Sequence, residues 1–286
     1  MESNETIRVY NGAVAIITGG ASGIGAALGR ELAKRGCEVV LADRQIDLAE
    51  EVAETIRTAG GKASAAELDV TSFDAVEAMI YKIIKRTGRL DYMFNNAGIG
   101  TFGPASVYKI EDWNSVLDVN LRGVIHGIQV TYQIMREQGF GHIVNTASLA
   151  GLLASPGSIS YTTTKHAVVG LSKTLRIEAA PLGIRVSVLC PGFIRTPILK
   201  GGGKYGKMLM DISPQQQEKM EQMIEKLSPM PPELFAVKAV DAIAKNKAII
   251  VLPSWWKLFW WLERLFPAWS LHLAQKRYKT QVENFK

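Results

Sequence analysis

Over its first 190 residues the chain alternates short apolar runs, many of them rich in β-branched residues, with longer segments of helical period. No other feature constrains the fold as strongly. Runs at 13–18, 38–42, 63–68, 92–95, 142–146, 185–189 and 248–252 read as strands, and segments near 24–35, 47–59, 72–87, 111–137, 161–180 and 232–245 read as helices between them. Strands this apolar are covered on both faces, and helices of this length can cross between parallel neighbours in the right-handed sense. The expected architecture is α/β: a doubly wound, seven-stranded parallel sheet with helices on both faces. Residues 9–29 and 138–164 lack Asp, Glu, Lys and Arg, yet their glycines, prolines and hydroxyls mark strand–loop–helix units rather than membrane spans.

Charge and cysteine content narrow the function. Between 252 and 286, six Lys/Arg stand against Glu263 and Glu283, so +4 of the net +6 belongs to this end of the chain. No basic stripe interleaved with stacking aromatics occurs elsewhere, which argues against nucleic acid as a partner. Cys37 and Cys190 have no C-x-x-C neighbour and no Cys/His cluster has ligand spacing, so reduced thiols and no metal are expected. Residues 1–12 lack a basic segment followed by an apolar one, which gives a cytoplasmic expectation.

After the first strand, Thr18-Gly19-Gly20-Ala21-Ser22-Gly23-Ile24-Gly25 leads straight into a helical pattern. Glycines let a backbone turn tightly against a pyrophosphate, and the following helix N-terminus offers unpaired N–H groups and a positive dipole end. Asp43, at the end of the second strand and eighteen residues after Gly25, has the spacing of a carboxylate that bonds an adenosine ribose, which favours NAD over NADP. Arg44 beside it could instead turn toward a 2′-phosphate.

Tyr161 and Lys165 are four residues apart at the start of a helical segment and so share a face. A nearby ammonium could depress the tyrosine pKa from about 10, each unit representing about 1.4 kcal/mol. Ser148, thirteen residues upstream after a strand, can polarise a carbonyl oxygen.

Taken in order, these motifs resemble the short-chain dehydrogenase/reductase family. The turn Thr18 to Gly25 matches T-G-x-x-x-G-x-G, Asn95-Asn96-Ala97-Gly98 matches N-N-A-G, and Ser148, Tyr161-x-x-x-Lys165 and Pro191-Gly192 follow at family spacings over about residues 10 to 252. The resemblance implies one Rossmann-like domain at 1–252 that works as a homodimer or homotetramer. It implies Tyr161 as general acid/base, Ser148 orienting the substrate oxygen, Lys165 binding the nicotinamide ribose and lowering the Tyr161 pKa, and Asn120 kinking a helix and holding a relay water. Gly19, Ser22, Gly23, Ile24 and Gly25 would hold the pyrophosphate. Asp43, Arg44, Asp69, Val70, Asn96, Ala97 and Gly98 would line the cofactor, and Pro191, Gly192, Ile194 and Thr196 would meet its nicotinamide half. His126, His142, His166 and His272 match no family ligand or base.

Two regions lie outside these motifs. Residues 193–232 hold Gly201-Gly202-Gly203 and five of the nine methionines (Met208, Met210, Met220, Met223, Met230), a composition that fits a lid over an apolar substrate or the packed face of a short helix. The tail at 253–286 carries five of the six tryptophans and is expected to be helical over 254–266. It is too short and too charged to span a bilayer, but through 254–279 it could lie on a membrane surface, fold over the substrate pocket or enter a subunit interface. Together these regions point to a hydrophobic alcohol or ketone, and the main reading is an NAD-dependent oxidoreductase. The alternative is a catalytically silent nucleotide-binding scaffold recruited through the tail.

Overall fold

A computed structural model describes residues 6–200, 205–211 and 213–284. The chain runs β1 (Val14–Thr18), α1 (Gly23–Lys34), β2 (Glu38–Asp43), α2 (Ile46–Thr58), β3 (Lys62–Glu67), α3 (Phe73–Thr87) and β4 (Tyr92–Asn95). It continues with β5 (Gly100–Phe102), α4 (Ile110–Leu117), α5 (Gly123–Gln138), β6 (Gly141–Thr146), α6 (Ile159–Ala179) and β7 (Ile184–Pro191). Last come β8 (Gly206–Met208), α7 (Pro214–Lys226), α8 (Pro232–Ala244), β9 (Ile249–Leu252), α9 (Trp256–Leu265) and α10 (Pro267–Asn284).

Seven strands form one parallel sheet in the order β3-β2-β1-β4-β6-β7-β9. From β1 the chain winds outward through β2 and β3, then returns to place β4 on the other side of β1. The carboxyl ends of β1 and β4 therefore open a crevice at the switch point. Every residue of β1, β4 and β6 is buried, as expected for strands covered on both faces. Leu28 and Leu32 of α1 pack with Phe235 and Val240 of α8 on one face, and Ile80 of α3 packs with Ile134 of α5 on the other.

Two polar networks run through this apolar frame. At the start of β4 the fully buried Asp91 takes a two-point ion pair from Arg89 (2.6 and 2.9 Å) and accepts the main-chain N–H groups of Arg8 and Val14 (both 3.0 Å). Further along, Asn95 donates to Asn145 (2.8 Å), which donates to Ser172 (3.0 Å), joining β4, β6 and α6.

The structure departs from the sequence expectations in three places. The helix expected over 111–137 is divided into α4 and α5 by a π-helical turn, Asp118–Arg122. There the Asn120 side chain leaves its helix to bond both main-chain groups of Ile99 (2.8 and 2.9 Å). The 193–232 segment contributes β8, which pairs in parallel with β5 as a small second sheet, and the mostly exposed helix α7, which has no buried residue. Gly201-Gly202-Gly203 lies outside the described residues. Finally, the tail forms two helices, because Pro267 lacks the N–H that would continue α9 and instead begins α10.

Candidate active site

Glycine at position 19 is required by its backbone, which sits at φ +67°, and a Cβ on Gly25 would lie 2.0 Å from the Gly19 carbonyl oxygen. This packing lets α1 start directly against the turn. Ser22 caps α1 without a side-chain hydrogen bond and no acidic residue occupies the first turn, so the helix end keeps the character of an anion site. The Thr18 hydroxyl accepts from the N–H groups of Asn96 (3.0 Å) and Ala97 (3.1 Å), while the Asn96 amide donates to the Thr18 carbonyl (3.0 Å). These bonds tie the ends of β1 and β4 together at the floor of the crevice.

Asp43 is held at the rim by two main-chain donors, Ala21 (3.1 Å) and Gln45 (3.0 Å). Burial works against ionisation of Asp69, but the Thr71 N–H and hydroxyl, with Arg44 nearby, hold its carboxyl below the ordinary value. Gly19, Ser22, Gly23, Ile24, Asp43, Arg44, Asp69, Val70, Asn96, Ala97 and Gly98 all line the crevice, as do Tyr161, Lys165, Pro191 and Thr196.

The remaining expected residues act from behind this lining. Gly25 supports the turn. Gly192 lies under Trp256, whose ring would be 2.7 Å from an added Cβ, and Ile194 is buried in the core with its carbonyl accepting from the Thr196 hydroxyl (3.3 Å). Asn120 is fully buried, and its side-chain oxygen and the Lys165 ammonium flank Gly98.

Tyr161 and Lys165 occupy successive turns of α6, with the ammonium 5.4 Å from the phenol ring centre. Lys165 Nζ donates to the Thr146 carbonyl at 2.9 Å, and burial pushes its pKa down to about 8. Ser148 Oγ accepts from the Ala150 N–H (3.1 Å) and lies beside the Tyr161 hydroxyl. The expected depression of the Tyr161 pKa is not found: desolvation raises the phenol above its ordinary value and outweighs the opposing effect of Ser148. The sign for Lys165 gives a test. Its folded pKa lies below its unfolded one, so its contribution to stability is fully present above about 10.5 and is lost as pH falls through about 8. Urea melts between pH 8 and 10.5 should show wild type improving relative to Lys165→Met by up to about 1.4 kcal/mol per pH unit.

Two crevice residues have no sequence signal. Gln45 and Tyr205 meet across the outer rim (3.3 Å), and the buried Gln45 Oε1 has no hydrogen-bond partner among the described residues. That acceptor, beside Asp43, suits a ribose hydroxyl. None of the five methionines of the 193–232 segment lines the crevice; Met230 packs on the core and Met210 and Met223 are exposed. His142 is buried against Ser187 (2.9 Å), with its pKa pushed down to about 3 by desolvation.

A parallel sheet with a glycine turn at its switch point, an uncapped helix end and a Ser-Tyr-Lys group at the same crevice defines a nucleotide-dependent oxidoreductase. The chain belongs to the short-chain dehydrogenase/reductase family: residues 13–204 match the short chain dehydrogenase family model. A cyclohexanol dehydrogenase from Acinetobacter sp. (strain SE19) is 37% identical over 191 residues, 66% of this chain and 76% of that protein. The crystal structure of a family member from Burkholderia phymatum in complex with NAD aligns with TM-score 0.76 and 32% identity, over 86% of this chain and 90% of that one. A protein from Beutenbergia cavernae, described as an NAD(P)-dependent gluconate 5-dehydrogenase with NADP at low occupancy, aligns with TM-score 0.73 and 28% identity, over 84% and 95%.

Proposed function

We propose that the chain is an NAD-dependent oxidoreductase that interconverts a hydrophobic alcohol and its ketone or aldehyde, with Tyr161 as general acid/base. Tyr161 and Lys165 side by side on the crevice wall, with Ser148 next to the Tyr161 hydroxyl, carry this reading. The cofactor supplies hydride acceptance or donation at its nicotinamide C4. Ser148 holds the substrate oxygen; Tyr161 takes the alcohol proton as phenolate during oxidation and returns it as phenol during reduction. Lys165, fixed by Thr146, binds the nicotinamide ribose and stabilises phenolate by charge. Asn120 keeps the π-turn and the Ile99 backbone in place around Gly98, beside Lys165.

The chain's own residues fit a dinucleotide. The Gly19–Gly25 turn and the free α1 N-terminus take the pyrophosphate, and Asp43 with Gln45 Oε1 receives the adenosine ribose. A 2′-phosphate would meet the fixed Asp43 carboxylate, a like-charge contact costing several kcal/mol, while Arg44 lies toward Asp69. For substrate class, Ile99, Val119 and Ile198 give the crevice an apolar wall, and the relative from Acinetobacter is named for an alicyclic alcohol.

The test is turnover of a panel of alicyclic, long-chain and polyol substrates with NAD and NADP. An apolar secondary alcohol should be preferred, with kcat/KM at least about tenfold higher for NAD. Turnover confined to polyols would overturn the substrate class, NADP preference would overturn the role of Asp43, and NAD binding with no turnover of any substrate would favour a silent scaffold.

A further inference from the structure

The two faces of α9 have different surroundings. Trp256 and Trp260, one turn apart, pack on the cluster of Leu149, Leu152, Val168 and Val251, and the Phe193 ring lies tilted against Trp256 at 5.9 Å. On the opposite side Leu258, Trp261 and Leu265 are between 55% and 64% exposed, and Trp255, whose ring stacks on Trp256 at 4.0 Å, keeps 48% of its surface exposed at the edge between the two faces. At 3.6 residues per turn these four fall within an arc of about 120°. Phe266 and Trp269, exposed at 57% and 55%, continue the apolar surface across the bend into α10. A contiguous exposed surface of large apolar side chains marks an interaction site.

The charges around this surface are all of one sign. Lys257 and Arg264, seven residues apart, lie along one edge of the stripe, and Lys276 and Lys279 follow Trp269 on one face of α10. The one carboxylate between 253 and 280, Glu263, is partly buried toward the protein beside Ala154 and His166, and desolvation raises its pKa. No helix among the described residues is long and apolar enough to cross a membrane. We infer that the outer face of α9 and the start of α10 rest on an anionic bilayer surface, with Trp255, Leu258, Trp261 and Leu265 in the headgroup layer and Lys257, Arg264, Lys276 and Lys279 against lipid phosphates.

A second copy of this chain is a poorer occupant. A two-fold contact through this face would bring its own lysines and arginines together with no carboxylate to offset them, whereas acidic lipid complements them. The inference is independent of the substrate.

The experiment is co-sedimentation of the full chain with vesicles of phosphatidylcholine alone or with added phosphatidylserine, together with tryptophan emission. Binding is expected to require phosphatidylserine, to weaken as salt rises, and to shift the emission to the blue. Leu258→Glu/Trp261→Glu should lower vesicle affinity about a hundredfold or more and Lys276→Glu/Lys279→Glu at least about tenfold. Thermal melting and NADH binding should stay as in wild type, because all four side chains are exposed. Absence of vesicle binding at low salt, or binding that neither double variant weakens, would overturn the proposal. So would a concentration-dependent oligomer that Leu258→Glu/Trp261→Glu dissolves without any vesicle binding in wild type, which would give the face to a second copy.

Discussion

Tyr161→Phe should lower kcat by about a thousandfold or more while leaving the Kd for NADH within about twofold of wild type. The substitution removes one oxygen from a side chain that packs on its own helix, so the fold and the glycine turn have no reason to respond. The phenol carries the only proposed acid/base, and its pKa is already raised by desolvation, with Ser148 pulling against that rise. Removing the Ser148 hydroxyl should therefore push the acid limb of kcat/KM for alcohol oxidation, where Tyr161 acts as the base, to higher pH, a signature that a merely structural serine would not give. Fluorescence titration of NADH and stopped-flow turnover with the best alcohol separate binding from chemistry. A Tyr161→Phe enzyme within tenfold of wild type would move the proton to another group.

The second large effect is on stability. Asp91→Ala should cost about 3–5 kcal/mol in urea unfolding, because it removes the carboxylate that offsets the buried Arg89 charge and the acceptor of two main-chain N–H groups at once. The expected size reflects the uncompensated charge left behind more than the worth of the pair. Replacing both partners, Arg89→Met with Asp91→Leu, should recover part of the loss, though the N–H groups of Arg8 and Val14 would remain unpaired. A single-variant loss below about 1 kcal/mol would mean that water reaches this end of β4.

The main sheet is legible in the sequence because its strands are short and bounded by glycine or polar turns and all but the half-exposed edge strand β3 are dominated by apolar residues, so periodicity and length agree. The crevice is legible for a different reason. Gly19, Gly25, Asp43, Tyr161 and Lys165 are constrained by spacing within one element or one strand–helix–strand unit, and spacing survives without knowledge of the tertiary structure. What is hidden depends on encounters between distant segments. β5 and β8 are three residues each, too short for any pattern, and they exist through pairing with one another. Gln45 and Tyr205 become neighbours only when the 193–232 segment returns to the rim. The raised phenol is likewise a property of its surroundings: four-residue spacing to Lys165 brings the ammonium near, but desolvation outweighs what spacing alone would predict. In the tail, composition announces tryptophan-rich helices, while the division into a protein-facing and an exposed side follows from where α9 lands.

The Asn95–Asn145–Ser172 bonds have a further consequence. Apolar side chains between a sheet and a helix tolerate sliding, since one methyl contact replaces another at little cost. Directional bonds do not. Ser172 is seven residues from Lys165 along α6, so a slip of that helix by one turn would strand the Asn145 amide in a dry interior and move the Tyr161 hydroxyl by about 5.4 Å, out of reach of Ser148. The three side chains thus discriminate among alternative packings of one apolar interface, rejecting those in which the helix is stable but catalytically misregistered.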